Sequence, residues 1–174
     1  ADAWRAPEWV DAFDPGGENH LHFIVVTDHR TVIGHSDPEF GHEYLAVIGG
    51  EEFGSDGHAG IWGQQTHVDH ESQGGEPRAQ RIAAAIDEAH AQGALFSPNH
   101  PTDPGDLWGW TVETIDAVEI WNGPWGVMSA PMTEAVLDDW VASNGVENPA
   151  IRDAARLTGV TADSQALRFW QNVL

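Results

Sequence analysis

Four places in the chain set proton- or metal-handling side chains against short apolar runs. Phe23–Arg30 reads FIVVTDHR, a buried-strand pattern that stops on Thr27-Asp28-His29. The run Leu45–Ile48 (LAVI) reads as a second buried strand ended by Gly49-Gly50 and followed by Glu51-Glu52, His58 precedes Ala59–Trp62, and Ala94–Ser97 (ALFS) leads into Pro98-Asn99-His100. Neutral imidazole is a metal ligand and a proton carrier, and a neighbouring carboxylate can fix its tautomer. Taken alone, Asp28-His29 reads equally well as a strand followed by a polar turn, because Asp commonly opens turns. One such strand end is ordinary. Four in succession predict a shared site built from nitrogen and oxygen ligands, the set that suits Zn²⁺, Mn²⁺ or Fe²⁺ where cysteine is lacking. A metal there lowers the pKa of bound water toward about 7 and polarises a phosphoryl or carbonyl oxygen.

The elements that must position these residues follow from periodicity and punctuation. Ala1–Phe13 has Trp4, Val10 and Phe13 on one helical face and is stopped by Asp14-Pro15-Gly16-Gly17. Thr31–Glu43 reads as a loop with a short helix, and Gln64–Gly75 as a polar loop. Pro77–Gln92 carries the clearest helical stripe, Ile82, Ala85, Ile86 and Ala89, closed by Gly93. Ala117–Trp121 (AVEIW) reads as a further strand ending on Asn122-Gly123. Met132–Ser143, Asn148–Leu157 and Ser164–Leu174 read as helices. Strands alternating with helices predict an α/β fold with a parallel sheet, whose carboxyl-terminal strand ends form one rim.

Composition narrows the function. The 174 residues fit a single domain, with 28 acidic residues against 7 arginines and no lysine, a formal charge of −21. Such a surface argues against nucleic-acid or anionic-membrane binding and suits a salt-rich habitat, where repulsion is screened; an acid-poised secreted enzyme is the rival explanation. The compartment is left open between cytoplasm and secretion. There is no apolar run of membrane-spanning length, and the N-terminus lacks a signal-peptide pattern, though a cleaved one is left open. Zero cysteines exclude disulfides and thiolate metal sites. No P-loop, dinucleotide fingerprint or GxSxG is present.

The ordered set TDH, GGEEFGSDGHAGIWG, GALFSPNHP and DAVEIWNG resembles the PHP (polymerase and histidinol phosphatase) superfamily over about Leu21 to Trp125. Within it, the branch of carbamate-ester hydrolases and metal-dependent phosphoesterases is the most similar. The resemblance implies a distorted (β/α)7 barrel with two or three divalent metal ions. By position, His29, Glu52, His58 and His100 match the family's ligands, Asp28 the residue before the ligand histidine, and Asn122 a polar residue near the pocket. The family's opening His-x-His and closing Asp-x-His have no counterpart here; His20-Leu21-His22 has the letters but leads directly into the TDH strand. The expectation is therefore an incomplete barrel, lacking its first and last strands, or a degenerate relative.

The other histidines, His35, His42, His67, His70 and His90, are expected on surfaces or loops. Trp108, Trp110, Trp121 and Trp125 fit pocket lining and core filling equally well. The reading is a metal-dependent hydrolase of phosphate or related small-molecule esters: His29, Glu52, His58 and His100 hold the metals, Asp28 supports His29, Asn122 meets water or substrate, and Glu51 turns to solvent or backs the site. A non-catalytic metal-binding domain and an acidic binding module are the alternatives.

Overall fold

The computed structural model describes residues 22–38, 40–41, 46–54, 57–68, 77–110, 114–123 and 127–173. The expected helix Ala1–Phe13, together with His42, His70 and Trp125, lies outside them. Four strands, β1 (Phe23–His29), β2 (Ala46–Phe53), β3 (Ala59–Trp62) and β4 (Leu95–Pro98), form one sheet in the order β1-β2-β3-β4. Helix α1 (Arg78–Ala91) joins β3 to β4, and α2 (Glu134–Asn144), α3 (Pro149–Ala155) and α4 (Ala162–Val173) follow.

The expected (β/α)7 barrel is not the fold. Among the described residues the sheet is open, four-stranded and mixed. β1 and β2 are parallel, but β3 runs antiparallel to both β2 and β4. The physical reason is the connection from β2 to β3. It has only the five residues 54–58, whereas a parallel crossover needs about a dozen or more. A barrel of parallel strands cannot close through such a hairpin.

Two further expectations change. Gly49-Gly50 does not end β2 but lies inside it, at positions where neighbouring groups occupy the space a Cβ would take. A Cβ on Gly49 would come within 2.5 Å of the His35 ring, and one on Gly50 within 2.8 Å of Val25. The 117–121 segment is not a strand of the sheet, although Asp116 N–H bonds to Phe96 O and Glu119 N–H to Pro98 O. It therefore runs alongside β4 in the same direction.

Strand alternation divides the sheet into two faces. Glu51, Phe53, Ala59, Ile61 and Phe96 share the inner face through the registers Glu51–Ile61–Phe96 and Phe53–Ala59. There they meet the stripe of α1, Ile82, Ala85, Ile86 and Ala89, all buried as the periodicity predicts. Trp108 and Trp110 fill the same core, with Trp108 against Phe96 and Trp110 against Trp140. The outer face carries His29, Glu52, Gly60 and Ser97 in one register row.

Candidate metal centre

That outer row ends at the rim where the chemistry gathers. β1 and β2 arrive there by their carboxyl ends, bringing His29 and Glu52 into register as neighbours. His58 reaches the same rim for the opposite reason: it precedes β3, which is antiparallel and so begins where β2 finishes. His100 follows β4 in a turn and takes a left-handed φ of 33°, a conformation a non-glycine residue seldom adopts and one that recurs at functional sites.

Three side chains converge. Glu52, His58 and His100 each offer one ligand atom, all within 4.8 Å of one another. His58 Nδ1 lies 3.2 Å from Glu52 Oε1 and 3.1 Å from His100 Nε2. Two imidazole nitrogens facing each other this closely need a shared proton, or an ion that both can ligate. His29 stands beside them, its Nε2 3.3 Å from the second oxygen of Glu52, with its side chain 68% exposed.

The far nitrogen of each central histidine faces a carboxylate. His100 Nδ1 is 3.2 Å from Glu119 Oε2, which also accepts the His100 backbone N–H at 2.6 Å. His58 Nε2 is 3.7 Å from Asp106 Oδ1, an ion-pair distance rather than a hydrogen bond. Carboxylates behind ligating histidines orient the ring and raise its basicity. The donor set therefore fits a divalent ion: two imidazoles and one carboxylate, with both rings backed by acids.

The electrostatics match this geometry. Burial lowers the proton affinity of His100, but the Glu119 hydrogen bond and the charges of Glu119, Glu52 and Asp106 outweigh it and hold the imidazole above its usual pKa. Burial likewise raises Glu119, yet the ring and backbone bonds from His100, its charge and the Asn122 amide leave the carboxyl below its ordinary value.

Glu119 and Asp106 were not singled out from the sequence. Glu119 sits inside AVEIW, where strand alternation masks a functional acid; its two-residue spacing to the preceding Ala117 gives no sign of a site. Asp106 lies in a glycine-rich loop and carries no motif. The remaining sequence candidates are placed as follows. Asp28 is on the opposite pleat from His29, and among the described residues its carboxylate makes no hydrogen bond or ion pair; Oδ2 instead lies 3.1 Å from where a Cβ of Gly34 would sit. Asn122 donates to Glu119 Oε1 at 3.3 Å and so backs the backing acid. Glu51 is not turned to solvent: it is fully buried, accepts the Val68 N–H and pairs with His67. His35 packs inward and bonds Gly50 O, and His90 binds Asp116, whose same oxygen accepts Phe96 N–H. Trp121 is 71% exposed.

No family model matches this chain, and no curated protein or solved structure matches it either.

Proposed function

We propose that this chain binds a divalent metal ion through Glu52, His58 and His100 and uses it to hydrolyse phosphate or related small-molecule esters. The observation that carries the reading is the triangle of ligand atoms within 4.8 Å, with a carboxylate behind each imidazole. The motif resemblance to the PHP superfamily supports the ester chemistry, independently of the barrel it implied. When bound, a divalent ion supplies acidification of water and polarisation of the ester oxygen.

The chain's own groups do the rest. Glu119 holds the His100 ring with Nε2 toward the site, and Asn122 holds Glu119. His29 fixes the second oxygen of Glu52 and, being the most exposed of the four, is the group able to exchange a proton with solvent at Nε2. Hydrolysis adds water across the ester bond, and the departing oxygen leaves with a proton.

The test is metal titration followed by turnover. Titration of the metal-free chain with Zn²⁺ or Mn²⁺ should give one tight ion, and turnover of a p-nitrophenyl phosphodiester should appear only with metal. Both should disappear in His58→Ala and His100→Ala. Failure of either metal to bind would refute the site; tight binding without turnover on any ester would leave a non-catalytic metal-binding domain.

A further inference from the structure

Beside the metal-binding triangle, on the same face of the sheet, the side chain of Trp62 lies across Gly60. A Cβ on Gly60 would stand 2.5 Å from Trp62 Nε1 and 3.2 Å from its Cε2, so the indole occupies that space only because residue 60 has no side chain. Gly60 is the register partner of Glu52, and directly paired residues of neighbouring strands have Cβ atoms about 4.5–5.5 Å apart. The indole N–H thus lies over the register partner of Glu52, whose carboxylate the proposed function assigns to the metal. Among the described residues this N–H has no hydrogen-bond partner. The next position in the same row, Ser97, is fully buried, and its hydroxyl has none either. The ring of Trp62 is half-buried, so its N–H is open to a ligand oxygen, while the buried Ser97 hydroxyl calls for a partner from outside the chain.

We infer that Trp62 is a substrate-contacting residue, its indole N–H donating to a phosphoryl oxygen of the ester held at the Glu52–His58–His100 site. The inference rests on the proposed function and deepens it. The indole offers a donor only, and its bond to the oxygen of an anionic phosphoryl group is stronger than one to a neutral ester oxygen, which favours anionic tetrahedral substrates. Glycine at position 60 is then a requirement of the site, since any side chain there displaces the indole. Trp62 is not a metal ligand, so metal loading and substrate binding are separable.

Inorganic phosphate, added to zinc-loaded protein freed of excess metal, is the probe. In chain labelled with ¹⁵N-tryptophan, the Trp62 indole resonance, assigned through its own backbone, should move downfield with phosphate in the zinc-loaded protein and stay in place without zinc. Calorimetry should show Trp62→Phe loading zinc as the unaltered chain does while binding phosphate roughly tenfold more weakly, the scale of one hydrogen bond to a charged group. Gly60→Ala should lose phosphate affinity to a similar extent. An unmoved Trp62 resonance in a zinc-loaded chain that binds phosphate would overturn the inference and leave the metal site intact, as would equal phosphate affinity in Trp62→Phe. Failure of zinc to load would overturn the proposed function and this inference together. The resonance is read in the unaltered chain, so the test holds even if a variant does not fold.

Discussion

Glu119→Gln is the most informative single change, because it removes a charge while keeping the shape. The carboxylate accepts three hydrogen bonds: two at Oε2, from the His100 backbone N–H and Nδ1, and one at Oε1 from Asn122. A glutamine can keep its amide oxygen toward His100, and then its NH₂ meets the NH₂ of Asn122, which must turn over. Both bonds to His100 survive but become neutral. Charge-assisted hydrogen bonds are about twice as strong as neutral ones, and those to charged groups contribute about 1.5–3 kcal/mol each. The backbone bond is the same with and without metal, so the loss of metal affinity comes through the Nδ1 bond; changing the acid behind a ligating histidine costs roughly 10–100-fold in metal affinity. Zinc affinity by calorimetry should fall by that factor at about pH 8, where protons do not compete.

At lower pH the loss should shrink. Glu119 raises the proton affinity of His100 as well as its metal affinity, so the unaltered chain suffers more proton competition than the variant. At about pH 5.5, in the range where a raised histidine is protonated, the two chains should differ less than at pH 8. Equal zinc affinity in the two chains at pH 8, within about twofold, would refute the assignment of His100 as a ligand backed by Glu119. A gap that widens on acidification would refute the electrostatic part.

Three further outcomes follow from the same structure. In the metal-free chain, the raised His100 stabilises below its unfolded pKa and is lost as pH rises through its folded value, whereas the lowered Glu119 stabilises above its unfolded pKa and is lost as pH falls through its folded value. Their contribution should therefore peak between the two, and urea melts across pH should show Glu119→Gln removing that peak. With 28 acids, 7 arginines and no lysine, the melting temperature should rise from low to molar NaCl as repulsion is screened; an unchanged value would remove the salt-adapted explanation. Glu51→Ala leaves the buried Val68 N–H without its acceptor and opens a cavity beneath β2, so it should lower unfolding free energy by about 1–3 kcal/mol, measured by denaturant titration.

How much of this was legible in the sequence depends on what is local. The α1 stripe and the helices of the second half are encoded in a few consecutive residues, and Ile82, Ala85, Ile86 and Ala89 are buried as their spacing requires. Strand direction is not local. Nothing in AGIW states that β3 runs antiparallel; the short 54–58 connection is the only sign, and the glycines before it suggest a strand end rather than a continuing strand. Gly49 and Gly50 were opaque for the same reason. Their meaning lies in the His35 ring and the Val25 and Thr27 side chains packed over them, residues distant in sequence. Glu119 was hidden because its partner, His100, is nineteen residues away. The gathering of Glu52, His58 and His100 was expected from a sheet topology that does not form, and it arises here from another. A residue just before an antiparallel strand and a residue just after a parallel one lie at the same end of a sheet. The reversal of β3 therefore keeps His58 on the rim, where a parallel β3 would have carried its first residue to the opposite edge. The candidate metal centre thus depends on the antiparallel hairpin, and lengthening the 54–58 connection enough to permit a crossover would separate His58 from Glu52.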